Sequence, residues 1–126
     1  MADADPNAIA NRWIAFYRTP ETLRSPELAS EDSWATLPRE DPELCYATIL
    51  AVVQILPADP SDAAFATIAA GPLEDLLAAH GPNIIAKVEI EARRNPAFNL
   101  LLGGVWRNAM TDDVWARVQA ARLAVW

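Results

Sequence analysis

An all-α fold, a single domain of about six or seven helices in an irregular bundle, is what this 126-residue sequence predicts. Three observations carry the prediction. No stretch alternates cleanly between β-branched or aromatic and polar residues, so strand signals are weak. Alanine is abundant throughout. The prolines also follow a pattern: Asp5-Pro6, Asp41-Pro42, Asp59-Pro60, Gly71-Pro72 and Asn95-Pro96 each stand just before a helix-compatible run. Asp, Asn or Gly suits an N-cap, and proline suits the first helical position, where its missing N–H would have no partner anyway. Most prolines here therefore start helices.

The first helix is expected over about 6–18, with Ile9, Trp13, Phe16 and Tyr17 on one face. Residues 19–40 are mixed and polar, with Pro20, Pro26 and Pro38, and should hold short turns anchored by Leu23, Leu28, Trp34 and Leu37. A helix over about 42–56 is broken in its apolar character only by Glu43, Tyr46, Thr48 and Gln54, so it reads as the buried centre. Helices over about 60–70, 72–80 and 83–94 follow on links so short that neighbours should pack antiparallel. Within them, "FATIAAGPLEDLLAAHG" looks like one local HEAT-like hairpin, without a second copy at a fixed period. Leu73, Leu76, Leu77 and His80 share a face, and Gly81 should stop that helix with a positive φ. In 83–94, Ile84, Ile85, Val88 and Ala92 face inward, with Lys87–Glu91 and Glu89–Arg93 as solvent-side pairs. The next helix starts at Pro96, turns Phe98, Leu101, Leu102 and Val105 inward, and loosens at Gly103-Gly104. The last runs from Asp112 behind a Thr111 cap, with a stripe of Val114, Val118, Ala121 and Val125 and with Trp115 beside it. Residues 41–126 thus form the helical core, and 1–40 an N-terminal helix with an irregular segment.

Hydrophobic residues make up 52% of the chain, enough for a sizeable core despite a net charge of −7. That charge argues against binding nucleic acid, where phosphates must be neutralised, and against an anionic membrane surface. Cys45 is the single cysteine, so no internal disulfide is expected and a reducing compartment fits. The start, "MADADPNAIANRW", lacks a basic segment followed by an apolar run, and "ATILAVVQIL" is about half of the ~20 residues a membrane helix needs. A soluble cytoplasmic protein is the expectation, with its oligomeric state open.

The only His, His80, follows Glu74 and Asp75 in "GPLEDLLAAHGPN". Together they suggest an acid–base group or part of a metal site. On a regular helix, however, Glu74 lies about 240° and Asp75 about 140° around from His80. The sole His and sole Cys are also 35 positions apart. Neither a metal nor a cofactor is therefore expected; there is no P-loop or G-x-G-x-x-G. The two acids suit a helix N-terminus, and the imidazole a C-terminal end. Cys45, in "DPELCYAT", has no cationic or imidazole neighbour in sequence and reads as structural. The tryptophans, Trp13, Trp34, Trp106, Trp115 and Trp126, are many for this length and read mainly as core anchors. Trp126 is the best placed for exposure, because chain ends are seldom well buried. The candidate functional surface is Glu74, Asp75, His80, Trp106 and Trp126, with no catalytic residue assigned.

The stretches "AAGPLEDLLAAHG" (69–81) and "EARRNPAFNLLLGGVW" (91–106) carry a resemblance. The chain resembles a family of small bacterial proteins defined as a domain of unknown function. The likeness lies in the Gly-Pro-Leu-Glu-Asp-Leu-Leu run, the His-Gly after it, and a downstream Asn-Pro-x-Phe…Leu…Val-Trp pattern. It covers about the C-terminal half or somewhat more, implies a helical bacterial protein, and brings no catalytic residue. The function expected is a non-enzymatic protein–protein interaction module, its partner another protein, with an immunity-type toxin binder as one specific form. The competing expectation is an enzyme or small-ligand binder with a pocket around Glu74, Asp75 and His80. A concave pocket holding those side chains favours the second, and a flat acidic face the first.

Overall fold

The computed structural model describes residues 5–19 and 36–126, so the expected anchors Leu23, Leu28 and Trp34 lie outside the described residues. The described chain is helical and contains no strand. It runs through α1 (Pro6–Arg18), the single turn α2 (Leu37–Glu40), α3 (Pro42–Ile55), α4 (Ala63–Ile68), α5 (Glu74–Arg94), α6 (Pro96–Leu102) and α7 (Asp112–Ala121). A π-helical turn, Ala69–Leu73, joins α4 to α5.

The caps explain most of the starts. Asp5 accepts from the Asn7 N–H, Asp41 from Leu44, Asn95 from Phe98 and Thr111 from Val114, each at 3.0–3.2 Å. Each satisfies a backbone donor that the first turn leaves free. Asp59-Pro60 behaves differently. Asp59 accepts from both the backbone and the hydroxyl of Ser61, which closes a local turn. The helix then begins at Ala63, where Asp62 accepts from the Ala64 and Phe65 N–H groups. Asp62 also pairs with Arg18 at 2.6 Å, linking the start of α4 to the end of α1.

The core forms where α3 packs on α1 and also meets α2, α5 and α6. Trp13, Ile49, Val52, Phe65, Leu76 and Phe98 are among its fully enclosed side chains. The α3 helix is central, as its composition predicts, but not buried all round: Gln54 and Ile55 are exposed and Leu50 is half-buried. Cys45 is enclosed, and burial, with Asp75 and Asp41 adding to it, pushes its thiol up to about 12. It therefore carries no thiolate at neutral pH.

Residues 63–94 depart from the expected antiparallel hairpins. The corner expected at Gly71-Pro72, the hinge of the HEAT-like hairpin, is the π-helical turn, where the Glu74 N–H reaches the Ala69 carbonyl. Pro72 has no N–H to give to an ordinary α-helical bond, and a wider turn accommodates that loss. The helix break expected at Gly81 falls one residue earlier, at His80, and without the expected positive φ, which no described glycine has. Within α5 only His80 leaves helical geometry, at φ −131° and ψ 21°. Pro82 sits two residues on, and its ring crowds the carbonyl four residues before it, which accounts for a kink here. The solvent-side pairs also differ. Glu89 engages Arg117 of α7 through two bonds, and the buried Glu91 accepts from Arg94 and from the Asn95 side chain. Val125 is exposed and does not continue the α7 stripe.

Gly81 matters for close approach. A Cβ there would lie 2.8 and 2.9 Å from the two methyl groups of Val114, where α7 crosses α5. Gly81→Ala should therefore cost about 1–3 kcal/mol by overpacking, because the β-branched Val114 has little rotamer freedom to yield. Adding Val114→Ala should recover part of that loss. Thermal melts of the two single variants and the double variant check this, and independent, additive losses would count against it.

Candidate functional site

The first turns of α5 form one wall of a cavity of about 340 Å³. Asp75, Ala78 and Ala79 line it, as residues three and four apart on a helix share a face. Pro38 and Arg39 of α2 form a second wall, and Asn108 and Ala109, in the loop between α6 and α7, form a third.

Glu74 and His80 stand on either side of the Asp75 face and hold the other two walls. The Glu74 carboxylate accepts from the Trp106 backbone N–H at 2.9 Å and from the Asn108 side-chain amide at 3.2 Å. A carboxylate only accepts, so the Asn108 NH₂ must face it, leaving the amide oxygen of Asn108 as an acceptor. Asn108 has φ 51°, a left-handed conformation that Asn tolerates better than most residues. His80 Nε2 lies 2.9 Å from the Arg39 carbonyl oxygen. That oxygen only accepts, so the ring donates from Nε2 and holds α2 in place.

Asp75 and Arg39 face the same cavity without forming an ion pair. Partial burial pushes the Asp75 carboxyl above the ordinary carboxylate range, and the Arg39 charge offsets this only in part.

A family model, that of a family of unknown function (DUF6869), matches residues 23–125. The chain belongs to that family. No curated protein and no solved structure matches the chain. The DUF6869 match takes in every wall of the cavity, together with Glu74 and His80.

The two remaining candidate residues part company in this DUF6869 chain. Trp106 is 66% exposed, on the loop that Glu74 clamps. Its neighbour Arg107 pairs with Asp112 at the start of α7. Trp126, expected to be exposed, is instead half-buried and stacks on Phe65 with ring centroids 5.9 Å apart. Its indole N–H donates to the Leu100 carbonyl at 2.7 Å. Among the described residues, no group of three or more His, Cys, Asp or Glu side chains is placed to hold a metal ion. No helix there is long and apolar enough to cross a membrane.

Sequence reasoning brought Glu74, Asp75 and His80 together but missed Arg39 and Asn108. Asn108 carried a faint signal, an Asn in the stretch between Gly103-Gly104 and the Thr111 cap. Arg39 carried none, because its place depends on a contact 41 residues away.

Proposed function

We propose that this DUF6869 protein is a non-enzymatic protein–protein interaction module that anchors its partner on Trp106. The observation that carries the reading is a large aromatic ring left 66% exposed on a backbone that the Glu74 carboxylate clamps. An aromatic side chain presented on a pre-ordered loop binds with a small entropy cost, and Trp is enriched among residues that dominate interface energy. The net charge of −7 favours a partner with a basic contact face, through electrostatic steering. Neutralisation of a basic toxin, an immunity-type role, is the specific form of this reading. The enzymatic alternative has weaker support, because the Glu74 carboxylate and one His80 nitrogen are already engaged in holding backbone or side-chain groups.

The test uses Trp106→Ala. The Glu74 bond goes to the backbone N–H, so the variant should fold and melt like the parent. Partners captured by cross-linking to the parent would be purified and titrated against both proteins. The expected result is a loss of affinity of about 30-fold or more, the scale of a binding hot spot. Equal affinity of the two proteins for every captured partner would reject the reading.

A further inference from the structure

The cavity between α2, α5 and the loop before α7 contains one cation and one anion that do not pair with each other. Other charges of the fold do pair directly, as in Arg18–Asp62, Arg94–Glu91 and Arg117–Glu89. Arg39 and Asp75 are both reachable from solvent and face one cavity, yet among the described residues neither has an ion-pair partner. The backbones that carry them are fixed at the cavity: His80 bonds the Arg39 carbonyl, and Asp75 sits on the first turn of α5. The third polar wall is Asn108, whose NH₂ is committed to Glu74 and whose oxygen can still accept.

We infer that this cavity binds a small zwitterion, a molecule carrying both an ammonium and a carboxylate, such as an α-amino acid. The Arg39 guanidinium offers a planar fork that suits a carboxylate. The Asp75 carboxylate and the Asn108 oxygen together offer acceptors for an ammonium. A simple anion would be attracted by Arg39 but repelled by Asp75, and a simple cation would meet the reverse, so a ligand with only one charge is selected against. A cavity of about 340 Å³ has room for an amino acid. Ala78, Ala79, Ala109 and Pro38 supply an apolar floor for a short side chain. An ammonium beside Asp75 would also relieve the partial burial of that carboxyl, which Arg39 offsets only in part. The site does not depend on the exposed ring of Trp106.

The experiment is calorimetric titration and thermal-shift measurement of the full chain with glycine, alanine, serine, glutamate and arginine. Glycine, alanine and serine are each paired with the N-acetyl derivative, which lacks the cation, and the methyl ester, which lacks the anion. Binding of at least one amino acid at up to about 10 mM is expected, with each single-charge derivative weaker by roughly tenfold or more. Asp75→Asn and Arg39→Gln should each weaken binding by a similar factor while keeping the parent melting temperature. Trp106→Ala should leave it unchanged, so failure here and failure of the interaction reading are distinguishable. No binding by any of the five amino acids, equal binding of the derivatives, or unchanged binding in both charge variants would overturn the inference.

Discussion

Replacing Trp126 with alanine should lower the stability of the protein by about 3–5 kcal/mol, the range for removing a large aromatic from a packed site. That is a large share of the 5–15 kcal/mol by which a typical domain is stable. Trp126 stacks on Phe65 of α4, donates its indole N–H to Leu100 of α6, and donates its backbone N–H to Gly103. The two glycines after α6 provide the bed. A Cβ on Gly104 would lie 2.4 Å from the Trp126 ring, and one on Gly103 would lie 2.3 Å from the Ala124 carbonyl oxygen. Gly104→Ala should therefore dislodge the ring and lose stability in the same way. The double variant Trp126→Ala/Gly104→Ala should be little worse than Trp126→Ala alone, because the obstruction has nothing left to displace. Denaturant midpoints of the three variants measure this. A parent-like midpoint for Trp126→Ala would show that the tail is not part of the core.

Asn99→Leu should cost about 2–5 kcal/mol, because it strands one buried and two partly buried backbone groups at once. Asn99 is buried in α6, and its NH₂ donates to the carbonyls of Ala92 at 3.1 Å and Ala121 at 3.0 Å. Its side-chain oxygen accepts from the Leu123 N–H at 2.9 Å. One amide thus ties α5, the end of α7 and the C-terminal tail together. Leucine fills a similar volume but serves none of the three groups. Asn99→Asp gives a second reading of the same site. It keeps an acceptor for Leu123 but sets a carboxylate against two carbonyl oxygens. Its folded-state pKa should be raised, so the variant should be least stable near neutral pH and should recover as the pH falls through that raised value. Urea titrations at neutral and mildly acidic pH test both variants. A loss below about 1 kcal/mol for Asn99→Leu would show that water replaces the amide.

What the sequence determined by itself was whatever depends on groups a few residues apart. The start of α1 at Pro6, of α3 at Pro42, of α6 at Pro96 and of α7 at Asp112 follow from cap side chains that reach an N–H two or three residues on. The inward faces of α5 and α6 follow from helical periodicity, and Ile84, Ile85, Val88, Phe98 and Leu101 are buried as that periodicity requires. The tertiary structure decided what depends on distant partners. Glu74 and His80 read locally as helix-end charges. Their hydrogen-bond partners lie 32, 34 and 41 residues away, and those bonds hold two walls of the cavity around Asp75. Glu89 had an adequate neighbour in Arg93, but a guanidinium on α7 offered two bonds in place of a flexible surface contact. Gly81 carried the look of a helix stop, and Gly103-Gly104 that of a loosened helix. Their roles are to let Val114 and Trp126 approach closely, and close approach is a property of packed surfaces that no local pattern encodes.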